Sequence, residues 1–308
     1  MTQLYDGPVI DAHTHLWDLA HDKYPWLTPN GSFGPKGRFD ALKGKNYLLK
    51  DYKRDIEGCD VIASVHVEAL WDPADDRVNE TRWLETLDKS HNLACRYVVG
   101  VDFGTPATES QLREHAQFER VKSVRQTIAW TPNPDRSMAA EADITHKPDW
   151  RAAIPVLIEL GFSLDLLIYP YQSENVAELS ADFPELQIIV NHIGSPIEQD
   201  DAGLKRWHDG VQLMGQQPNV LMKLSAVASY VSIKDIEHMR PFVTHIIDCF
   251  GADRVMVGSD FPVAKLVGWS YRQYINAYKQ CVSDHARAEQ EQIFWRTAAH
   301  AYSIPVEL

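Results

Sequence analysis

Eight short runs of apolar, often β-branched residues recur along the chain, and they constrain its fold more than any other feature. They are Pro8–Ala12, Val61–Val67, Tyr97–Val101, Val121–Ile128, Phe162–Ile168, Leu186–Val190, Val220–Leu224 and Arg254–Val257. Between most of them lie segments with helical spacing of apolar residues, namely Glu80–Leu93, Glu109–Phe118, Trp150–Leu160, Gln172–Ala181, Leu204–Met214 and Ile233–Phe250. This alternation indicates βαβ units around a parallel sheet that is covered on both faces. Eight repeats in 308 residues favour an α/β (β/α)8 TIM barrel over an open doubly wound sheet.

We expect this barrel to be a single domain spanning residues 1–308. Two of its connections are long, Asp18–Lys45 after the first strand and Thr131–Pro148 after the fourth. Because both follow strands, they belong to the C-terminal face, where barrel enzymes assemble their active sites. We therefore expect them to wall a substrate pocket, with plain surface insertions as the alternative. A further helical pattern from His285 to Tyr302 predicts an extra C-terminal helix across one end of the barrel.

Three residues predict where helices end, begin or bend. Gly161 directly follows the segment Trp150–Leu160 and suits a C-terminal cap. Ser232 precedes Ile233–Phe250 and suits an N-terminal cap. Pro241 lies inside that last segment, which predicts a kink or a division into two shorter helices.

Charge and cysteine content narrow the class of protein. The 43 acidic residues outnumber the 30 basic ones and give a formal net charge of −13. Because a strongly acidic chain repels phosphate-rich partners, we expect neither nucleic acid nor a membrane surface as a partner. Four widely spaced cysteines, with no closely spaced pair, are typical of thiols in a reducing compartment. With no signal pattern and no apolar run of membrane-spanning length, the sequence predicts a cytoplasmic protein.

Ionisable side chains gather at the ends of the predicted strands. Strand one ends in His13 and His15, which alternate onto the same face and converge in a manner typical of a metal site. Later strands contribute His66, Glu68, Arg125, Asp165, His192, Lys223 and Asp260. Because buried ionisable groups are costly unless they are paired or functional, their repeated placement on consecutive strands predicts an active site.

Some of these residues also have a structural explanation. His66 lies within an apolar run and is better explained as a core histidine than as a ligand. Glu68 suits a metal ligand and an ion pair equally well, and Asp165 and Lys223 suit a structural pair across the barrel. His192 and Asp260, each near a glycine at a strand end, are better explained as catalytic residues.

With these residues assembled, the chain resembles the amidohydrolase superfamily. Within it, the chain is similar to the amidohydrolase-2 branch that includes sugar-lactone, sulfomuconolactone and pyrone-dicarboxylate lactonases. The similarity covers almost the whole chain and rests on Ile10–Asp18, Tyr24–Leu27, Glu80–Leu84, Ser123–Arg125, Phe183–Pro184, Val190–Pro196, Asn219–Ser225 and Arg254–Val263. The pair His13 and His15 is weak alone, but the ordered set that closes with Gly258–Pro262 is specific.

The resemblance implies that His13, His15, His192 and Asp260 surround a reacting carbonyl. It implies a lactone as the small-molecule substrate, with Asp260 as general base and later acid, and with His192 and Lys223 as further catalytic groups. Asn191 stands where relatives often have an acidic residue and is expected to change how His192 is oriented. Ala226 replaces a frequent glycine.

The resemblance leaves two versions of the cofactor open, since such lactonases use either one divalent metal or none. Two imidazoles with carboxylates, here His13, His15, Glu68 and Asp260, favour a single Zn²⁺-like ion, and metal-independent catalysis is the alternative. No lysine is placed to bridge two metals, which disfavours a binuclear centre.

The expected substrate contacts come from one arginine and several aromatic residues. Arg125 suits a bidentate grip on a carboxylate or sulfonate, and Trp17, Trp26, Trp130 and Tyr171 suit stacking on a ring, with ordinary packing as the alternative. Because only one arginine clearly points inward, a sugar lactone is slightly favoured over an aromatic-pathway lactone. A metal-dependent decarboxylase of aromatic acids is the competing enzyme, and a non-catalytic binding barrel is a third, weaker hypothesis. The sequence gives no indication of oligomeric state.

Overall fold

Eight parallel strands pair in chain order, which confirms the predicted (β/α)8 barrel. The computed structural model describes residues 4–35, 37–231 and 235–306. A bridge between Thr14 and Phe261 joins the first strand to the segment after the eighth and brings the two edges of the sheet together. The strands are β1 (Val9–Thr14), β2 (Val61–Val67), β3 (Arg96–Gly100), β4 (Val121–Thr127), β5 (Ser163–Leu167), β6 (Ile188–Val190), β7 (Val220–Leu224) and β8 (Val255–Val257).

The helices that follow the strands cover the outside of the barrel. Every residue of β1, β5 and β7 is buried, because side chains on one face fill the barrel and those on the other pack under helices. The helices are α1 (Leu49–Asp55), α2 (Val78–Glu85), α3 (Thr108–His115), α4 (Pro148–Arg151), α5 (Ala153–Leu160), α6 (Ser173–Asp182), α7 (Asp201–Gly215), α8 (Val227–Val231), α9 (Ile236–Phe250), α10 (Tyr271–Cys281), α11 (Arg287–Glu291) and α12 (Thr297–Ala301).

The predicted helix ends are confirmed in part. Gly161 ends α5 with a φ of 69°, a left-handed conformation that glycine adopts without steric cost. Ser232, the predicted N-cap, lies outside the described residues, and α9 is capped by Asp235, whose side chain accepts a hydrogen bond from the Glu237 backbone N–H. Pro241 lies inside this one continuous helix, so the prediction of two shorter helices is wrong.

The chain after α10 covers the N-terminal end of the barrel. It forms α11, a π-helical turn at Gln292–Arg296 and α12, in place of the single helix predicted from His285 to Tyr302. Arg96, the first residue of β3, donates hydrogen bonds to the carbonyls of Tyr302 and Ser303. The opposite, C-terminal end of the barrel is thereby left to the two long connections.

Two further expectations concern the chain as a whole. The four cysteines, Cys59, Cys95, Cys249 and Cys281, are free thiols. Across the described ranges, no helix has the length and apolar character needed to span a bilayer.

Candidate active site

Two histidines and a carboxylate converge where β1 and β8 end. His13 and His15 lie on the same face of β1, and their Nε2 atoms are 3.2 Å apart. An oxygen of Asp260, three residues beyond β8, lies 3.7 Å from Nε2 of His13 and 3.3 Å from Nε2 of His15. All three side chains are buried. In the part of the chain that the structure describes, they form the one group of histidine, cysteine or acidic side chains able to hold a metal ion jointly.

The separations within this group fit a common ion. Zinc binds imidazole nitrogen and carboxylate oxygen at about 2.0–2.1 Å, so two ligands at a tetrahedral angle are about 3.3 Å apart. The Nδ1 of His15 lies 2.8 Å from the carbonyl of Val67, to which it donates in the tautomer that leaves a lone pair on Nε2. Nδ1 of His13 is buried without a hydrogen-bond partner. The three residues therefore suit a divalent cation with nitrogen and oxygen preferences.

His192 adds a third imidazole to the same point. Its Nε2 lies 3.9 Å from the Asp260 oxygen, and its ring centroid is 4.5 Å from that of His13. The hydroxyl of Ser225, which directly follows β7, lies 2.9 Å from Nδ1 of His192 and accepts the backbone N–H of His192 at 3.2 Å. Ser225 therefore holds the His192 ring in its orientation. The Asn191 side chain, which was expected to influence that orientation, instead donates its amide N–H to Asp165 at 2.8 Å.

Burial and neighbouring charges set the protonation of these groups. Desolvation by burial lowers the pKa of His192 to about 4 and that of His13 well below its usual value. Burial alone would raise the pKa of Asp260, but the adjacent His192 and His15 outweigh it and lower the pKa of that carboxyl. At neutral pH the site thus combines an ionised Asp260 carboxylate with neutral imidazoles at His13 and His192, which is the state needed for a base, a metal ligand and a hydrogen-bond donor.

The backbone is strained at three consecutive strand ends that meet here. His192 after β6, Ala226 after β7 and Asp260 after β8 have φ values of 54°, 55° and 59°, the left-handed region that disfavours side chains. Such conformations persist only where surrounding structure enforces them, and they concentrate at functional sites. The left-handed conformation at Ala226 is one that a glycine would adopt without steric cost.

Glu68 lies in the pocket wall but is not grouped with the histidines, in contrast to its predicted role as a metal ligand. One of its oxygens accepts a hydrogen bond from Nε of Arg125 at 2.7 Å and lies 2.6 Å from Nη2. The other accepts the backbone N–H of Leu70 at 2.7 Å. Because both oxygens are engaged, the structure supports the ion-pair explanation of Glu68. The same contacts occupy Arg125, which was predicted to grip a substrate anion.

Lys223, predicted as a catalytic group, is the centre of a buried network inside the barrel. Its Nζ lies 2.6 Å from an oxygen of Asp165, and both side chains are fully buried. The same carboxylate also contacts the hydroxyl of Tyr302 and accepts hydrogen bonds from Ser123 and Asn191. Lys223 does not line the pocket, so the structure places it in the predicted structural pair across the barrel.

His66 lies behind the site, as its explanation as a core histidine requires. Its Nδ1 accepts the backbone N–H of Leu16 at 3.2 Å, and its Nε2 lies 3.7 Å from Glu80. Burial raises the pKa of the Glu80 carboxyl, and the nearby Glu68 charge adds to the effect. Glu80 also accepts the backbone N–H of Ala69, so this pair stabilises the segment after β2.

The group borders a partly open cavity of about 60 Å³, which has room for several water molecules. His15, His192 and Asp260 lie at its floor, and Glu68 and Arg125 are in its wall. The two long connections contribute to the wall, as predicted. Their aromatic and apolar side chains there are Trp26, Phe33, Phe39 and Met138, and Trp17 directly precedes the first connection.

The predicted aromatic contacts divide into two pairs. Trp17 and Trp26 line the cavity, with ring centroids 5.6 Å apart, and each donates its indole N–H to a backbone carbonyl. Trp130 and Tyr171 do not line it; they pack against each other at 6.0 Å, and the Tyr171 hydroxyl donates to Glu198. The structure therefore does not bring Trp130 and Tyr171 to this cavity, and ordinary packing, the alternative explanation, accounts for the contacts between them.

Sequence reasoning missed Arg38 and Tyr230, which also line the cavity. Arg38 belongs to the connection after β1 and Tyr230 to α8. The sequence signal for Arg38 is a single cation within a glycine- and proline-rich connection, which does not indicate a direction. A second arginine in the pocket removes the premise on which a neutral sugar lactone was favoured.

Comparison with known proteins settles the family. Residues 10–304 match the profile of the family described as Amidohydrolase. The chain belongs to the amidohydrolase family. It is 32% identical over 299 residues to the uncharacterized protein y4mH of Sinorhizobium fredii, covering 97% of this chain and 99% of that protein. It is 25% identical over 308 residues to an L-fucono-1,5-lactonase of Burkholderia ambifaria, covering 96% and 95% of the two chains.

Solved amidohydrolase structures share the fold. A zinc-bound amidohydrolase of Burkholderia multivorans superimposes with a TM-score of 0.78 at 22% identity, covering 97% of this chain and 100% of that one. The predicted resemblance to the amidohydrolase-2 family is thereby confirmed. The match begins at Ile10 and includes every residue of the histidine and carboxylate group, so the candidate site lies within the part that defines the family.

Proposed function

We propose that this amidohydrolase opens a lactone by water attack at its carbonyl. The observation that carries the proposal is an ionised carboxylate, Asp260, within 3.9 Å of three buried imidazoles, those of His13, His15 and His192. Asp260, His15 and His192 line one cavity. Hydrolysis of an unactivated ester needs a base that takes a proton from water, and it needs hydrogen-bond donors or a metal ion that stabilise the developing oxyanion. The similarity to an L-fucono-1,5-lactonase adds support for a cyclic ester as the substrate.

In this mechanism Asp260 carries out both proton transfers, and His192 stabilises the oxyanion. Asp260 accepts a proton from water while the water oxygen forms a bond to the lactone carbonyl carbon. Nε2–H of His192, in the tautomer compatible with the Ser225 contact at Nδ1, donates a hydrogen bond to the developing oxyanion. When the ring C–O bond breaks, Asp260 returns its proton to the departing alkoxide, which yields a hydroxy acid.

We propose that one divalent ion, with Zn²⁺ favoured, is held by His13, His15 and Asp260. Such an ion, when bound, supplies charge that polarises a carbonyl and acidifies water. Two features of the chain suit such an ion: the Val67 carbonyl orients the His15 ring, and burial lowers the pKa of His13 and so keeps that imidazole neutral. Glu68 is omitted from this set because Arg125 engages it.

The metal requirement is tested by removing and restoring the ion. Protein treated with dipicolinate and then dialysed is expected to lose most of its hydrolytic activity and to regain it with one equivalent of Zn²⁺. Metal content is measured by mass spectrometry before and after the treatment. Full activity with less than about a tenth of an equivalent of metal would replace this version with direct stabilisation by the imidazoles.

The reaction class is tested by two substrate panels followed in parallel. Proton release is recorded for neutral and carboxylate-bearing lactones, and CO2 release for aromatic carboxylic acids. We expect proton release from at least one lactone and no CO2 from any acid. CO2 release without lactone opening would assign the site to decarboxylation, the competing enzyme class.

A further inference from the structure

Arg38 occupies an unusual position in the pocket wall. It belongs to the connection between β1 and α1, yet its half-buried guanidinium lines the same cavity as His192 and Asp260. Its Cζ lies 4.8 Å from the ring centroid of Tyr230 and 5.4 Å from that of Phe39. Two aromatic rings therefore hold the cation at the edge of the cavity, where a guanidinium favours such contacts.

Arg38 differs from the other cationic side chains near the site, which are paired with carboxylates. Arg125 is paired with Glu68, and Lys223 is paired with Asp165. For Arg38, no carboxylate of residues 4–35, 37–231 or 235–306 lies within ion-pairing distance. A half-buried arginine without an acidic partner leaves its planar fork of donors available to an anion.

The charge of Arg38 acts on the reacting end of the pocket. After burial and the contacts with His192 and His15, Arg38 is one of the groups that influence the pKa of the Asp260 carboxyl, which it lowers. The remaining wall beside it is aromatic or apolar, with Trp26, Phe33 and Met138. A ligand that reaches from Asp260 to Arg38 thus meets one ring-binding wall and one positive charge.

We propose that Arg38 is the specificity-determining residue that binds a carboxylate of the substrate. The proposal rests on the lactone hydrolysis proposed above and narrows it to lactones that carry a carboxylate away from the reacting carbonyl. The planar guanidinium binds this group through two parallel hydrogen bonds, and Tyr230 and Phe39 keep the fork in place. Arg125, the residue that the sequence favoured for this role, instead stabilises the pocket wall with Glu68.

A matched pair of substrates isolates the contribution of Arg38. D-Glucaro-1,4-lactone and D-glucono-1,4-lactone share a ring and differ in a carboxylate against a hydroxymethyl group. For the wild-type protein we expect a higher kcat/KM with the first. In Arg38→Met the ratio of the two kcat/KM values is expected to fall about 10- to 100-fold, because a hydrogen-bonded charge pair is lost. Arg38→Lys keeps the charge without the fork and is expected to give an intermediate ratio.

Arg206→Met is the control for removing an arginine that stacks on a tyrosine. The Cζ of Arg206 lies 4.3 Å from the ring centroid of Tyr171, and Arg206 pairs with Glu198 outside the cavity. This variant is expected to keep the wild-type ratio. An unchanged ratio in Arg38→Met, or an equal fall in both variants, would overturn the proposal.

Binding of glutarate separates this proposal from the proposed function. Calorimetry with wild-type protein is expected to detect glutarate but not the neutral glutaramide, and Arg38→Met is expected to weaken glutarate binding about tenfold or more. If no lactone is opened yet glutarate binds through Arg38, the hydrolase proposal fails and the anion site stands. If glutarate binds both proteins equally, or neither, the anion site is refuted whatever the catalytic result.

Discussion

Glu68 and Arg125 form a buried ion pair in the wall of the pocket, with an oxygen of the acid 2.7 Å from Nε of the base. Arg125 also donates to the backbone carbonyl of Glu68 at 2.9 Å. Each charge cancels the other, so the pair shapes the pocket without supplying a metal ligand or an open anion site. The proposed ion site therefore keeps His13, His15 and Asp260 without Glu68, and the proposed anion site uses Arg38 in place of Arg125.

The first prediction concerns Glu68→Gln. Because the substitution leaves the Arg125 charge buried without its partner, we expect the free energy of unfolding to fall by about 3–5 kcal/mol. Metal content is expected to stay at the wild-type value, whereas His15→Ala is expected to lose the ion. Denaturant unfolding and elemental analysis of the same preparations measure both effects. A loss of metal in Glu68→Gln equal to that in His15→Ala would return Glu68 to the ligand set.

The second prediction concerns Lys223, which lies fully buried against Asp165. Lys223→Met leaves the Asp165 carboxylate unpaired, so we expect a loss of about 3–5 kcal/mol in unfolding free energy. The double variant Lys223→Met with Asp165→Leu removes both charges and is expected to recover much of that loss. Activity per folded molecule is expected to change much less than stability. A large fall in kcat at wild-type stability would instead make Lys223 catalytic.

The third prediction is a pH dependence of stability that arises from His115. This buried imidazole lies 3.1 Å from the Thr81 hydroxyl and 3.2 Å from the Gly100 carbonyl, and burial lowers its pKa to about 4. Above the unfolded-state pKa of about 6.5 the residue is neutral in both states and costs nothing. Between pH 6.5 and 4 the unfolded chain binds the proton more readily, so stability falls as pH falls, by about 3 kcal/mol in total.

Replacing His115 isolates its contribution. His115→Gln keeps a donor and an acceptor but does not titrate, so its unfolding free energy is expected to decline less steeply between pH 6.5 and 4. His91→Gln, at an exposed position, is the control and is expected to follow the wild-type curve. Parallel curves for His115→Gln and wild type would refute this assignment.

The fold was predictable because its signal is repeated. Eight apolar runs, two of them matched to the residue by β2 and β7, alternate with amphipathic segments, and each repeat supports the same architecture. Single helix boundaries were less predictable. The helix expected over Glu80–Leu93 ends at Glu85, and the chain then passes through positive φ values at Asn92 and Ala94. Helix α10 was missed because its tyrosines and charges obscure the apolar spacing.

The site residues on or next to strands were predictable, because the position of a residue along a strand determines the direction in which its side chain points. His13 lies near the end of β1, and His15, His192 and Asp260 follow strand ends, which parallel strands bring together. Partners from different strands were harder to assign, since sequence gives no distances between Glu68 and Arg125. The direction of side chains in the long connections was not predictable either, which is why Arg38 was missed.

The central claim, that Asp260 performs the proton transfers of lactone opening, is tested most directly by Asp260→Asn. The asparagine keeps the shape of the side chain but cannot accept the proton, so kcat on the best lactone is expected to fall about 10²- to 10⁴-fold. The assay is run at saturating Zn²⁺, with thermal unfolding recorded to show that the barrel is intact. A folded Asp260→Asn protein that opens the lactone at the wild-type rate would contradict the account.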